Sequence, residues 1–218
     1  MLAGLANWCV ADRVGFAVHY EGRIFRPPSE ADAILLQVTV GCSHNGCRFC
    51  AMYREKRFRI KTRDEILVDI AEARVDSATI GRVFLCDGDA LAMPQAQLVE
   101  TLKDIRVGLP NVIRISSYAN AKSVAGKTDA ELAELRALNL KLFHMGLESG
   151  DDVTLQRMHK YGDAQLHIAQ AHPRLRARGH LAGLQSHLPG REAHRPARFH
   201  ARQVLLRSLP YHRATRLG

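Results

Sequence analysis

The amino-acid sequence predicts an α/β fold in which four parallel strands alternate with helices. Four short apolar runs each end in a loop of polar or glycine residues, and an amphipathic stretch follows each loop. Two capping boxes, Thr62-x-x-Glu65 and Thr128-x-x-Glu131, mark positions where helices begin. Because helical crossovers join parallel strands, this alternation is typical of the βαβ units that build a parallel (β/α) barrel or an open sheet.

The predicted elements follow one another in a regular order. The strands are expected at residues 34–40, 83–85, 112–115 and 141–147. The helices are expected to begin at Thr62, Pro94, Thr128, Asp152 and Asp163, and the last of them to continue to about Arg178. Helical spacing indicates that the first helix faces the core with Ile66, Leu67, Ile70 and Ala73.

Polar residues gather where each predicted strand ends. The groups are the cysteines after residue 41, residues 87–89, residues 116–120, and Glu148 with Ser149. The carboxyl ends of parallel strands meet at one edge, and in barrels and open α/β sheets that edge carries the functional site. The sequence therefore predicts a single site along this rim.

Composition and charge indicate a globular protein and disfavour membrane and nucleic-acid partners. The chain has 218 residues, of which 46% are hydrophobic and 24% are charged, as in an ordinary globular domain. No apolar run has the length of a membrane span, and the first residues lack the basic start of a signal peptide, so we expect a cytoplasmic protein without a membrane partner. The net charge of +9 belongs entirely to residues 171–218, which hold ten arginines, no lysine and one acid. The neutral body disfavours a nucleic-acid partner.

Three of the five cysteines, Cys42, Cys47 and Cys50, lie within nine residues. This crowding indicates a metal site in a reducing compartment rather than a disulfide framework. Structural zinc normally takes four protein ligands, whereas an iron–sulfur cluster can be held by three cysteines with one iron left open. The spacing therefore favours a cluster. The alternatives are three unrelated thiols, or a zinc loop completed by His44, Cys86 or Cys9.

Residues 34–53, ILLQVTVGCSHNGCRFCAMY, resemble the first strand and cluster loop of radical S-adenosylmethionine (SAM) proteins, in particular a bacterial group with the spacing Cys-x4-Cys-x2-Cys. Phe49, the aromatic residue before the third cysteine, also matches. The resemblance continues through DGDALAMP, SSYANA and GLESGDD, and so covers roughly residues 20–165. It implies a partial parallel (β/α) barrel and a [4Fe–4S] cluster on the three cysteines. SAM would bind the open iron and be cleaved reductively, and the resulting 5′-deoxyadenosyl radical would abstract hydrogen from an unknown substrate.

The resemblance also implies contacts with SAM along the rim. Asp87, Gly88 and Asp89 stand where related proteins carry a turn that receives the SAM amino group, and Glu148 and Ser149 stand where polar residues of the family face the cofactor. Ser117 and Asn120 are candidates to hydrogen-bond the ribose or carboxylate of SAM, or to touch the substrate. An Asp-Gly turn and helix caps are the alternative interpretations of these residues. An electron donor such as a flavodoxin or a ferredoxin is implied as a partner, and no catalytic residue toward the substrate is assigned.

We divide the chain into an N-terminal extension (1–19), a partial core (20–170) and a basic tail (171–218). A fifth strand is due near residue 181, but the tail is rich in Arg, His and Pro, as when a GC-rich coding sequence is read out of frame. We expect the end of the core to be lost to a frameshift, the tail to be non-native or disordered, and the fourth strand to be an unpaired edge. Rival hypotheses are an inactive truncated remnant, or a non-catalytic metal-binding protein whose tail binds nucleic acid.

Overall fold

The structure is a computed structural model that describes residues 9–10, 19–74, 78–170, 181–185 and 203–204. The strands are β1 (Cys9–Val10), β2 (Phe25–Arg26), β3 (Ile34–Leu36), β4 (Thr39–Val40), β5 (Arg59–Ile60), β6 (Arg82–Leu85), β7 (Arg114–Ala119), β8 (Leu140–Gly146), β9 (Leu181–Gln185) and β10 (Gln203–Val204). The α-helices are α1 (Arg63–Arg74), α2 (Gln95–Gly108), α3 (Ala121–Ala125), α4 (Asp129–Ala137), α5 (Asp152–Arg157) and α6 (Ala164–Ala169). Single 3-10 turns occur at Pro28–Glu30 and Ala90–Ala92.

The main sheet has the strand order β10-β9-β8-β7-β6-β3. Its neighbours from β3 to β9 are parallel, and β10 is antiparallel to β9. Helices α1, α2 and α4 lie in the connections between successive parallel strands, as crossovers must. The predicted alternation of parallel strands and helices is confirmed.

The fifth strand corrects the expectation that β8 is an unpaired edge. β9 pairs with β8 in parallel, with Met145 opposite Leu184 and Phe143 opposite Ala182. Strand pairing uses main-chain groups, and the segment Leu-Ala-Gly-Leu-Gln contains no proline that would interrupt the ladder. The tail is therefore not irregular throughout. Its other residues, the predicted continuation of α6 to Arg178 and most of the N-terminal extension lie outside the described residues.

The predicted first strand is divided into two short strands. β3 belongs to the main sheet, whereas β4 forms an antiparallel hairpin with β5. Gln37, between them, is fully buried and uses its side chain for hydrogen bonds rather than for packing. After this break the chain leaves the main sheet. The β4–β5 hairpin then flanks the cysteine loop, residues 41–58, with one strand before the loop and one after it.

Two further expectations are corrected in detail. Leu67, predicted to face the core, is 39% exposed, and Asp69 is buried in α1 instead because Lys61 pairs with it at 2.8 Å. The third predicted strand begins and ends later, and Ser116 and Ser117 lie within β7 rather than in the loop after it. Both capping boxes are confirmed, each by a pair of reciprocal hydrogen bonds.

The sheet is buried on both faces, as parallel sheets normally are. One face carries the larger core, to which helices α1, α2 and α4 contribute. The other face carries Leu35, Phe84 and Cys86, and the segment before β3 covers it with Ile24 and Ala33. Within the described ranges, no helix combines the length and the apolar character needed to cross a membrane.

Candidate metal and cofactor site

The three clustered cysteines lie on the loop between β4 and β5, at the carboxyl edge of the sheet. Cys42, Cys47 and Cys50 are free thiols of intermediate burial. In the described part of the chain, no three His, Cys, Asp or Glu side chains converge closely enough to hold a metal ion. His44 turns elsewhere, with its Nε2 atom 2.7 Å from the carbonyl oxygen of His159, and Cys86 is fully buried in the sheet. Among the described residues, therefore, neither a four-ligand zinc site nor a converged set of three thiolates is preformed, and the loop would have to bring its cysteines together to bind metal.

Asp87 anchors both ends of the cysteine loop. Its carboxylate is fully buried and accepts hydrogen bonds from the main-chain N–H of Gly41 (2.7 Å), from Gln37 Nε2 (2.9 Å) and from Lys56 Nζ (2.9 Å). Gly41 precedes the first cysteine and Lys56 follows the third, so one carboxylate fixes the chain on both sides of the loop. Burial raises the pKa of Asp87, and these three donors oppose that shift. The sequence predicts that the turn of residues 87–89 receives the SAM amino group, and within that turn the oxygens of Asp87 are already engaged by these donors.

Gly88 brings the rim into contact with the first cysteine. Its N–H donates to the carbonyl oxygen of Gly41 at 2.8 Å. A Cβ atom at position 88 would lie 2.5 Å from Cys42 Cβ and 2.9 Å from Cys42 Sγ. Only glycine allows this close approach, so the cysteine loop packs directly against the Asp-Gly turn that follows β6.

Asp89 connects the cysteine loop to the end of β7. Its Oδ2 atom accepts hydrogen bonds at 2.5 Å from Ser43 Oγ, Asn120 Nδ2 and Ser123 Oγ. Asn120 also caps α3, accepting from the N–H of Ser123 at 3.1 Å. The other carboxylate oxygen of Asp89, Oδ1, is buried and has no hydrogen-bond partner among the described residues. A buried acceptor without a partner is unfavourable, which marks this atom as available to a ligand.

Ser117 does not lie at the rim. It is fully buried in the middle of β7, and its cross-strand neighbours are Leu85 and Phe143, both of which belong to the core on the helix-covered face. The structure therefore places Ser117, which the sequence predicts to contact SAM, in the core rather than among the rim residues. Tyr118, one residue further along, lies on the opposite face against the ring of Phe84 at 5.0 Å.

Glu148 and Phe49 are brought together by a residue that the sequence did not single out. Lys160 Nζ lies 3.5 Å from Glu148 Oε1 and 5.7 Å from the centre of the Phe49 ring. The positive charge of Lys160 also lowers the pKa of Cys47, although burial raises that pKa overall. Ser149, in contrast, accepts a hydrogen bond from the N–H of Asp151 at 3.1 Å and so stabilises the turn before α5.

The segment between α5 and α6, residues 158–163, packs on the cysteine loop. The N–H of Arg48 donates to the carbonyl oxygen of Met158 at 2.8 Å, and the ring of His44 contacts the ring of Tyr161 at 5.8 Å. These contacts join residues more than a hundred positions apart, and nothing in the local sequence signals them. They place Lys160 beside the cysteines.

A sequence model of the radical SAM superfamily matches residues 36–182, about two thirds of the chain. The chain belongs to the radical SAM superfamily. The cofactors of this superfamily are a [4Fe–4S] cluster and SAM, and the half-buried thiols, the free Asp89 oxygen and the Lys160 cation suit such a pair.

Solved structures show the same fold at low sequence identity. The radical SAM chain resembles the cobalamin-dependent SAM radical enzyme OxsB (TM-score 0.54, 19% identity), methylornithine synthase PylB (0.53, 13%) and HydG, a maturase of the [FeFe]-hydrogenase (0.51, 19%). Each match covers 70% of this chain but only 23%, 43% and 35% of the respective structure. The prediction of a partial barrel of the radical SAM type is confirmed. No curated protein matches the sequence.

The thiols of this radical SAM chain must lose protons before they can bind iron. Burial is the main cause that raises the pKa of Cys42, to about 11, with smaller contributions from Asp89 and the other two cysteines. Like-charge repulsion among the three thiolates is relieved when they bind a cationic metal centre. Cys42 is thus protonated at neutral pH when the loop is empty, and it loses that proton when it binds iron.

Proposed function

We propose that this chain binds a [4Fe–4S] cluster through Cys42, Cys47 and Cys50 and cleaves SAM reductively. When bound, the cluster supplies the electron that splits SAM into methionine and a 5′-deoxyadenosyl radical, which abstracts hydrogen from a substrate. The observation that carries the proposal is the attachment of a three-cysteine loop to the carboxyl edge of a parallel sheet by Asp87 and Gly88. The chain's part is to hold that loop rigidly, because a displaced ligand would misplace the reacting bond.

Two charged groups that contact the loop at different residues would orient SAM. Asp89 offers a buried oxygen without a partner, and an ammonium group such as the SAM amino group is its natural donor. Lys160 offers a cation for the SAM carboxylate, and Glu148 holds that cation in place. We assign the amino-group contact to Asp89 rather than to Asp87.

The remaining rim residues would shape the pocket. Asn120 orients Asp89 through its side-chain amide and is close enough to Ser43, at 2.9 Å, to support the cysteine loop. Phe49 places its ring 5.7 Å from Lys160 Nζ, where a cation–π interaction helps to position that cation. Ser149 stabilises the turn at the end of β8 by accepting a hydrogen bond from the N–H of Asp151.

An iron–sulfur site needs an electron donor and a reducing compartment. A low-potential electron carrier such as a flavodoxin or a ferredoxin would reduce the cluster, and the substrate is an unidentified compound with an abstractable hydrogen. Free cysteines at the site require a reducing environment, for which we propose the cytoplasm. The family match does not favour the alternative of a non-catalytic nucleic-acid-binding protein.

Anaerobic reconstitution of the full chain with iron and sulfide tests the proposal. The expected result is bound iron and sulfide, and, after addition of dithionite and SAM, the release of 5′-deoxyadenosine. Cys50→Ala should abolish cluster binding and cleavage, whereas Cys86→Ala, which removes a free cysteine outside the loop, should retain both. Bound zinc, no cluster at all, or equal activity in Cys50→Ala would refute the assignment.

A further inference from the structure

Positive charge is concentrated beside the cysteine loop. Seven arginines and lysines lie between residues 48 and 63, where Glu55 is the only acid. Four of them have carboxylate partners elsewhere in the fold, namely Lys56 with Asp87, Arg59 with Glu65, Lys61 with Asp69 and Arg63 with Asp104. These four charges are neutralised and stabilise the fold.

The other three, Arg48, Arg54 and Arg57, are exposed. Arg54 donates its N–H groups to the carbonyl oxygens of Cys50 (3.0 Å), Cys47 (3.3 Å) and Arg48 (2.9 Å), which are neutral acceptors and leave its charge uncompensated. Arg48 and Arg57 have no carboxylate partner within the described ranges. The first 170 residues carry no net charge, so this surface is a local excess of positive charge on a neutral body.

The position of this surface indicates what it binds. If the loop holds a cluster, as proposed above, an electron must enter from outside, and the donor must come close to the three cysteines. Arg54 contacts the carbonyl oxygens of Cys47 and Cys50, and Arg48 follows Cys47 directly in the chain. Arg57 and Phe49, whose side chain is 41% exposed, lie in the same loop. We propose that Arg48, Arg54 and Arg57 form the docking surface for an acidic one-electron carrier protein.

Charge complementarity is the physical basis of this docking. Opposite charges at the point of contact steer the two proteins together and raise the association rate by about 10- to 1,000-fold, an effect that salt suppresses. A nucleic acid would also be attracted, but its affinity grows with the number of phosphates that the protein neutralises, and three arginines supply few such contacts. The carrier protein therefore fits the small size of the surface better.

The rate at which a reduced flavodoxin reduces the reconstituted cluster tests the proposal. The test variant is Arg48→Glu/Arg57→Glu, which leaves Arg54 to hold the loop. The matched control is Lys103→Glu/Arg106→Glu, which changes the charge by the same amount at two exposed positions on α2. These positions lie two to three helical turns after the start of α2, and so away from the rim where that helix begins. We expect the test variant to be reduced about tenfold more slowly at low salt, and the control to match the wild type.

Raising the ionic strength from about 20 to about 300 mM should slow reduction of the wild type and leave the test variant nearly unchanged. Dithionite, which needs no docking, should reduce all three proteins at similar rates. If reduced flavodoxin reduces the cluster at the same rate in the wild type and in the test variant, the proposal is overturned. If, in addition, the wild type binds RNA and the test variant does not, the surface binds a nucleic acid instead. A chain that binds no cluster would instead refute the proposed function, so the two failures are distinguishable.

Discussion

Replacement of Asp87 by asparagine should destabilise the fold and loosen the cysteine loop. The substitution keeps the shape of the side chain but removes its charge. The backbone at this position has φ of +65°, a conformation that asparagine tolerates better than most residues, so backbone strain does not confound the result. The effect therefore reports on the interactions of the carboxylate.

The expected magnitude follows from what the carboxylate neutralises. Lys56 is buried, with only 4% of its side chain exposed, and Asp87 is its carboxylate partner at 2.9 Å. Removing one member of a buried ion pair strands the other charge and typically costs about 3–5 kcal/mol. A domain of this size is stable by about 5–15 kcal/mol, so the loss would be a large part of the total.

Urea unfolding of the cluster-free chain measures the change in the free energy of unfolding. In the reconstituted chain, the rate at which a chelator removes iron measures how loosely the loop is held. The double variant Lys56→Met/Asp87→Asn removes both charges and should recover to within about 1 kcal/mol of the wild type. If Asp87→Asn unfolds with an unchanged free energy, or if the double variant is no more stable than the single one, the ion pair does not anchor the loop.

Three further changes test separate parts of the site. Gly88→Ala should greatly reduce iron binding per chain, because the new Cβ would collide with Cys42 and displace the loop. Lys160→Met should raise the pKa of Cys47, because a cation that favours the thiolate is lost, and site-resolved alkylation of the cluster-free chain should then require a higher pH. Glu65→Gln should lower the Tm at neutral pH, because hydrogen bonds hold the pKa of Glu65 at about 2; the difference should vanish as the pH falls from 4.5 toward that value, where the wild-type carboxyl becomes protonated.

Each of these predictions has a control in the same chain. Gly150→Ala adds a Cβ with no heavy atom within 4 Å and should leave iron binding unchanged. Lys103→Met removes an exposed cation on α2 and should leave the alkylation profile of Cys47 as it is. Full iron binding in Gly88→Ala, an unshifted profile in Lys160→Met, or a Tm difference for Glu65→Gln that persists at pH 2 would contradict the respective contact.

Local signals in the sequence were sufficient for much of the fold. The two capping boxes work within four residues of chain, and the structure forms both as predicted. The strands predicted at residues 83–85 and 141–147, which the structure forms at Arg82–Leu85 and Leu140–Gly146, are short apolar runs flanked by turn residues and can be identified without knowledge of their neighbours. Leu67 and Ser117 were misplaced because the direction of a side chain depends on partners distant in sequence, here the ion pair of Asp69 and the register of β7 between its neighbours.

The sequence by itself determined the class of this protein through a resemblance: its three cysteines after a strand, the aromatic residue before the third of them and the loops that follow resemble those of radical SAM proteins. Only the tertiary structure decided which polar residues are available at the rim. Asp87 and Asp89 are two residues apart and chemically identical, yet Lys56 and Gly41 occupy the first and leave an oxygen of the second without a partner. Lys160 reaches the cysteines only because the segment after α5 folds back on their loop. Such pairings depend on contacts between residues far apart in the chain, and no local pattern encodes them.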